Sequence, residues 1–551
     1  MKISLDGKTK EYAAPLSAAQ IIEDMAPEKS RIAMGLREGG RIRELDETIS
    51  RDSELFVLTY QDEEGRRIYE RSLRFVLMIA AKRAFPHANI RIEHSVGEGV
   101  YIVFENWRLY PNDVKHLEDV MRDVVEENLP FTKRRLTKRE AIEHFSAAGD
   151  KKKTRLLSYR PFEHFNVYEC GGVTEYFYGA MLPTTGRVPV FALRHFSPGF
   201  VMLLPSLKNP NVPATFVSYP KQMATFAQSN YWCRVLECSD AADLNDLIRA
   251  NKLNDFIRVN EALHDKFIAD IAQDIVSRGA RAIFVSGPSS SGKTTFANRL
   301  QIHLRVLGLK PIIISLDDFY RNRSELPLEE DGQPDLEALT ALDVQLLRDC
   351  VDSLLSGRET HMPRFDFVTQ RQNRKAYSLK IRADQPIIVE GIHALNPHMH
   401  IGFDENLVFK IYISQLTCLN LDAHNRIRTT DARLLRRIVR DQNFRNTPPL
   451  KTLEMWDKVR RGEEKWVFPF QEKADVIFNS ALHYELAVLK RYSYDIIRSI
   501  PKENPQYLKV NRIVKILHYI LPAPDESLRD IPPLSILREF IGGNTLYINE
   551  D

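Results

Sequence analysis

RAIFVSGPSSSGKTTFANRL, residues 281–300, passes from an apolar strand pattern through Gly287-x-x-x-x-Gly292-Lys293-Thr294 into an amphipathic helix pattern. This is the order a phosphate-binding loop requires. The glycines and the small Ser289, Ser290 and Ser291 let successive backbone N–H groups turn inward around a di- or triphosphate. Lys293 reaches the terminal phosphates, the Thr294 hydroxyl holds Mg²⁺, and Thr294 and Thr295 open a helix whose N-terminus adds partial positive charge. The stretch predicts an α/β domain, a parallel sheet with flanking helices, that takes a nucleoside triphosphate such as ATP.

Two further strand patterns follow. PIIISL at 311–316 finishes on Asp317-Asp318-Phe319-Tyr320, and Ile387-Ile388-Val389, after Pro386, finishes on Glu390-Gly391. Open α/β sheets bind ligands beyond the carboxyl ends of their strands, so parallel pairing brings Asp317 and Glu390 to the edge that carries Lys293. One carboxylate there coordinates Mg²⁺, directly or through water, and another accepts the proton of a hydroxyl attacking the γ-phosphate. Either acid taken alone also reads as a strand-terminal turn residue or a helix N-cap.

Arg433, Arg436, Arg437 and Arg440 are spaced i, i+3, i+4 and i+7, which puts four guanidinium groups on one helix face. Such a stripe repels itself unless anions lie against it, and phosphoryl transfer needs cations of this kind. The alternative is a solvated face paired with Asp431 and Asp441. Arg445 and Arg460-Arg461 extend the positive character, and NTPPLKTLEMW at 446–456 reads as a mobile lid.

The chain has 551 residues, too many for one core, and 43% hydrophobic and 27% charged residues, an ordinary globular balance. No run is long enough to span a bilayer and no apolar signal opens the chain. The five cysteines are scattered and never C-x-x-C, which argues against a disulfide framework or zinc ribbon and predicts a reducing cytoplasmic setting. A net charge of +3 is too small to argue for nucleic-acid binding by the whole chain. Lys151–Lys153 read as a solvated loop.

Changes of pattern divide the chain into a β-grasp-sized unit at 1–61, an α+β unit at 62–250, the nucleotide-binding unit at 251–485 and a helical extension at 486–551. Strands are expected at 2–5, 31–34 and 54–59 with a helix at 18–25. Helices are expected near 71–85, 111–128 and 255–279, the last with an apolar face of Phe256, Val259, Leu263, Phe267, Ile271 and Ile275 and a cap at Gly279.

Over about 280–480 the motifs, in order, resemble the uridine kinase and phosphoribulokinase group of P-loop kinases. They are the phosphate loop, Asp-x-Phe-Tyr, Asp-Phe-Val, Val-Glu-Gly and Arg-Leu-x-Arg-Arg-x-x-Arg-Asp. The resemblance implies Asp317 as base toward a nucleoside 5′-hydroxyl, Glu390 in the Mg²⁺ environment, and Arg437, Arg440 and Arg445 on phosphates. It places Phe319, Tyr320 and Phe365 along the nucleoside. The Tyr and His that read uracil in that group align with Phe365 and Gln370, so a stacking surface is kept and the hydrogen-bonding pattern changes. The acidic sugar-binding segment is only loosely matched by Asp331-Gly332-Gln333-Pro334-Asp335.

The front resembles threonyl-tRNA synthetase, with 1–60 similar to its TGS domain and about 62–240 to its second domain. The synthetase's His-x-x-x-His and Cys-x-x-x-His positions align with Phe75, Ile79, Cys170 and Thr174, so Cys170 reads as a packed residue rather than a metal ligand. The implied activity is ATP- and Mg²⁺-dependent phosphorylation of a ribonucleoside, uridine or cytidine first. Two other readings stand open: a kinase for another small alcohol such as a sugar phosphate, and a nucleotide-gated regulator whose TGS front contacts RNA. His393 and His398–His400 read as loop or core histidines, Trp456 and Trp466 as packing anchors, and REFIGGNTLYINED at 538–551 as an exposed tail.

Overall fold

The computed structural model describes residues 1–326, 332, 334–366, 369–382, 384–400 and 403–546. The front opens with the hairpin Lys2–Leu5/Lys8–Glu11; Ser53–Leu58 pairs parallel to its first strand and continues to Gly35–Glu38 and Arg41–Arg43 in one five-stranded sheet. Helix Ala18–Met25 lies where the apolar spacing predicts it. Ser17 caps it by accepting from the Gln20 N–H at 3.2 Å, and the Gln20 side chain returns the bond to the Ser17 N–H at 2.9 Å. The strand expected at 31–34 is displaced to Gly35–Glu38, because the turn beginning at Pro27 runs on and leaves Ile32 exposed.

Helix Glu63–Ala84, longer than expected, packs with helix Pro111–Glu126 against a four-stranded antiparallel sheet ordered Ala192–Phe196, Gly199–Leu203, Gly99–Phe104, Ile90–Val96. Its Phe75 and Ile79 lie with Cys170 in an apolar cluster that continues into the first sheet. The stretch at Lys151 is a helix, Lys151–Tyr159, rather than a solvated loop; Lys153 is 2% exposed and paired with Glu175. A buried ammonium needs that partner.

Helix α1 (Leu253–Arg278) leads to the nucleotide-binding sheet and ends at Gly279 with φ 69°, the left-handed cap its sequence predicts. Its Val259 faces solvent instead of the core, and Ile268 is buried in its place. Strand β1 (Ala282–Ser286) is followed by α2 (Lys293–Val306), β2 (Ile312–Ser315), β3 (Ile387–Glu390) and β4 (Val408–Ser414). Then come α3 (Thr429–Phe444), α4 (Pro449–Trp466), β5 (Val476–Asn479), α5 (Glu485–Arg498), α6 (Tyr507–Leu517) and α7 (Arg538–Ile541). The sheet order is β2-β3-β1-β4-β5, all parallel. With helices on both faces its central strands carry unbroken apolar runs, so β1 and β3 are buried throughout.

The core does not stop at this sheet. One apolar cluster joins Phe165 and Leu244 to Phe296, Leu434, Leu486 and Phe540. Residues 535–541 are therefore interior, which corrects the exposed-tail reading: Ile536, Leu537 and Phe540 are fully buried. No helix among the described residues is long and apolar enough to cross a membrane.

Candidate active site

Parallel pairing sets the site's geometry. Ser315 and Val285 are both in register with Glu390, so the ends of β2, β3 and β1 open on one edge. The loop after β1 is tightly wound. A Cβ on Gly287 would collide with the Ile413 carbonyl oxygen of β4, and Gly292, at φ 88°, presents its bare face to Ile536, whose Cγ2 would lie 2.5 Å from an added Cβ. Ser290 adopts φ 60°. The Ser290 and Ser291 hydroxyls are buried without hydrogen-bond partners among the described residues, and the Lys293 ammonium folds back to donate to the Pro288 carbonyl at 3.2 Å. A cradle with unspent donors, a cation and a helix N-terminus fits a polyphosphate.

Thr294 Oγ1 donates to Glu390 Oε1 at 3.4 Å, and Ser315 Oγ donates to the same oxygen at 3.1 Å. These oxygens are the set a hard divalent cation such as Mg²⁺ takes. Burial, with the nearby Asp317 and Glu539 carboxylates, pushes Glu390 from its ordinary 4.5 up to about 7, against the pull of Lys293. The folded state therefore keeps a proton that the unfolded chain has already released. Stability from this group is complete below about pH 4.5 and is lost as pH rises through about 7. In chelator-treated protein, Glu390→Gln is expected to widen its stability advantage over wild type with rising pH, reaching about 3 kcal/mol at neutrality. Thermal midpoints across that range measure it, and an advantage that stays flat refutes the assignment.

Asp317 and Asp318 have separate tasks. Asp318 Oδ1 accepts from the Phe365 N–H at 3.4 Å, fixing the hairpin Thr360–Asp366/Arg371–Leu379 to the strand end. Asp317 is exposed in the cleft. The protein crowding around it raises its pKa, while Lys293, Arg445 and Arg440 draw it down. Lys293 is correspondingly lowered by burial and held up by Glu390, Glu539 and Asp317. These mutual fields bring loop cation, strand-end carboxylates and arginines to one cleft.

The arginine stripe divides. Arg433 is fully buried, with Nη1 and Nη2 donating to the Glu463 carboxylate of α4 at 2.6 and 2.7 Å, and Arg436 pairs with Glu485 of α5. These two hold the helices together. Arg437 donates to Ser289 Oγ at 2.8 Å, Arg440 lies 3.8 Å from Glu539, and Arg445 is lowered to about 10, first by Arg440. Arg433 and Arg436 also donate to the Ser289 and Ser290 carbonyls at 3.0 and 3.5 Å, so what sets the second group apart is that its charge is shared with Asp441 rather than clamped by Glu463 or Glu485. The segment read as a lid is the start of α4, with Thr452, Leu453 and Trp456 buried and residues 442–446 exposed before it.

On the acceptor side, the Tyr320 and Phe365 rings lie 5.8 Å apart. Phe319, expected beside them, is 1% exposed and belongs to the core with Leu347 and Val351. β2 stops at Ser315, and the 3₁₀ turn Leu316–Phe319 that follows puts Leu316 and Phe319, three residues apart, on its buried side. Gln370 sits at the hairpin turn, exposed, accepting from Arg323 at 3.1 Å. Asp331 and Gln333 lie outside the described residues.

Sequence reasoning missed three carboxylates. Glu337, pushed up to about 7 by burial, with Arg437 and Lys293 pulling it down, follows the acidic segment by two residues. Its proximity to Asp335 was a usable signal. Glu463 accepts from the Ser289 N–H at 2.9 Å, and Glu539 accepts from Thr295 Oγ1 at 2.8 Å. Nothing local in the sequence marks these two, since each acts across a long chain separation.

Residues 282–487 match the family model "Phosphoribulokinase / Uridine kinase family". The chain is 30% identical over 191 residues to a threonine–tRNA ligase of Desulforamulus reducens, covering 34% of this chain and 30% of the ligase. It is 30% identical over 190 residues to that of Symbiobacterium thermophilum, covering 34% and 29%. The chain thus spans about a third of the length of these relatives, and the likeness falls on its N-terminal region. A solved structure titled "Possible Uridine Kinase" from Bacillus stearothermophilus is 18% identical, covering 38% of this chain and 97% of that one with a TM-score of 0.27.

Proposed function

We propose, on the premise that residues 282–487 are a P-loop kinase domain of the phosphoribulokinase and uridine kinase family, that the protein transfers the γ-phosphate of ATP to the 5′-hydroxyl of a ribonucleoside, uridine or cytidine first. The observation that carries the reading is Asp317, open to the cleft and flanked by Lys293, Arg440 and Arg445. A carboxylate whose pKa is raised above the ordinary value is a better proton acceptor than an unperturbed one. Asp317 takes the proton from the attacking hydroxyl. Lys293 and the loop amides hold the triphosphate, and Arg437, Arg440 and Arg445 neutralise charge on the transferring group. Mg²⁺, held by Thr294 and Glu390, would screen the phosphate oxygens from one another. Tyr320 and Phe365 supply a stacking face for a base, and the carboxylates of Asp335 and Glu337, which act on Tyr320, suit sugar hydroxyls.

Purified protein with ATP and Mg²⁺, offered ribonucleosides, deoxynucleosides, ribulose 5-phosphate and other sugar phosphates, tests this. The expected product is a nucleoside 5′-monophosphate with stoichiometric ADP. Phosphorylation of a sugar phosphate alone moves the reading to another alcohol acceptor. Binding of RNA that changes with ATP, without phosphorylation of any free acceptor, replaces it with the regulator reading.

Glu539 places a further negative charge where a triphosphate must lie, acting on both Lys293 and Glu390. Glu539→Gln keeps a partner for Thr295 and removes the charge. Relief of about 1 kcal/mol of repulsion is expected to tighten ATP binding roughly fivefold. Calorimetric titration reads the change, and weaker binding by the variant would show that the carboxylate assists the nucleotide instead.

A further inference from the structure

A cavity of about 590 Å³ lies apart from the phosphate loop. It lies where the first sheet, helix Glu63–Ala84, the aromatic run at Tyr176–Tyr178, the chain entering α3 and helix α6 meet. Eleven Arg and Lys side chains line it against five carboxylates. The carboxylates are already engaged: Glu44 with Lys133 at 2.7 Å, Glu47 with Arg41 at 3.4 Å, Glu64 with Arg512, Glu70 with Arg426 and Arg428, and Asp431 with Arg67 at 3.5 Å and Arg512 at 2.9 Å. Among the described residues, none remains within ion-pair distance of Arg71, Arg160 or Lys515. Arg71 donates to the Ala180 carbonyl and Arg160 to the Tyr176 hydroxyl.

Folded proteins seldom bury charge without a counter-charge or leave interior polar atoms unbonded. This cavity does both. Arg74 Nε, Arg160 Nε, Arg426 Nε and the Tyr178 hydroxyl, all in its wall, are buried with no hydrogen-bond partner among the described residues. The cations also suppress one another. Lys515 is pushed down to about 8 by burial and then by Arg71, Arg160 and Lys133, and Arg428 down to about 9 by burial and then by Arg67. A chain that keeps such a cluster carries a destabilising feature whose compensation is a bound anion.

We propose that this cavity binds a small phosphorylated molecule carrying at least two phosphates, of nucleotide size. Guanidinium groups offer the planar paired donors that phosphate oxygens take, and the volume lies in the range of small-molecule sites. Tyr178 packs edge-on against Tyr176 and Tyr519 with ring centroids 5.1 Å apart, giving one wall a face for a ring or base. Walls drawn from seven chain segments, 41–47, 64–74, 133–135, 160–168, 176–180, 421–431 and 508–519, make a concave site that suits a small molecule better than a polymer strand. The site is not an annex of the kinase cleft. Arg428 lies at the start of α3 and Arg437, which touches the phosphate loop, about 14 Å further along that helix.

The test uses the full chain carrying Lys293→Ala, to weaken the phosphate loop's own hold on anions. Inorganic tripolyphosphate, ADP and a single-stranded RNA oligonucleotide are titrated calorimetrically, with thermal midpoints recorded in parallel. Tripolyphosphate or ADP is expected to bind, and adding Lys515→Gln, or separately Arg71→Gln, is expected to weaken it at least tenfold. Removing the Lys515 charge is also expected to leave the ligand-free midpoint unchanged or raised, since a cation crowded by like charges does not support the fold. Absence of binding by both small anions overturns the proposal, as does binding that Lys515→Gln leaves intact, or binding by RNA alone. A lowered midpoint with unchanged affinity overturns it too.

Discussion

Asp317→Asn is expected to lower kcat by two to four orders of magnitude, in the range that loss of a positioned general base produces, while ATP affinity stays at or slightly above the wild-type value. The asparagine keeps the shape and cannot take the proton. Removing a negative charge beside Lys293, Arg440 and Arg445 leaves those cations freer for phosphate, so nucleotide affinity does not fall. The pH–rate profile should change with it. Wild-type kcat/KM is expected to rise as Asp317 loses its proton, at a pH above that of an ordinary aspartate because the protein crowded around it raises the group, and the variant is expected to lack that limb. Steady-state kinetics with an independent ATP titration separate the two effects. A variant that turns over within a few-fold of wild type would remove Asp317 from the base role.

The second large effect is structural. Glu463→Ala is expected to destabilise the kinase region by about 3–5 kcal/mol, the cost of leaving a buried charge without its partner. Glu463 accepts both Arg433 bonds, a third from Arg460 at 2.9 Å, and the Ser289 N–H. Burial works to raise its pKa, and Arg433 with Arg460 and the Ser289 amide hold it below the ordinary value. Its contribution is therefore present at neutral pH and lost as pH falls through the lowered folded-state value. Denaturant melts of Glu463→Ala should show the loss. The double variant Arg433→Met/Glu463→Leu should recover most of it, since two apolar groups leave no orphaned charge. If Glu463→Ala melts with wild type, the pair is not holding α3 to α4.

What the chain disclosed in advance follows the range of the forces involved. The phosphate loop, the β2 and β3 ends and the α1 cap were legible because each rests on local backbone demands: small residues for a tight turn, apolar runs for a buried strand, Gly279 for a left-handed cap. The convergence of Asp317, Glu390 and Lys293 was legible because parallel pairing leaves little choice. Spacing alone could not divide the arginine stripe, since Arg433 and Arg437 share a helix face and both donate to Ser289, and only Arg433 is also clamped by the Glu463 carboxylate. Phe319 looked like a ligand contact because it lies between Asp317 and Tyr320 at the strand end, and burial settled it in the core. The cavity at the front was illegible, since its walls come from residues as far apart as Arg41 and Tyr519.

Thr295 and Glu539 stand 244 positions apart in sequence and share a hydrogen bond, and Ile536 lies against Gly292. The nucleotide-loop unit therefore has wider limits than the segment 282–487 that matches the family model. An excised piece cut at those limits would expose the flank of its own nucleotide loop to water, forfeiting the Ile536 and Phe540 burial that shapes it. Fragments for assay or crystallisation should keep 535–541, and kinetic values from shorter pieces would describe a different enzyme.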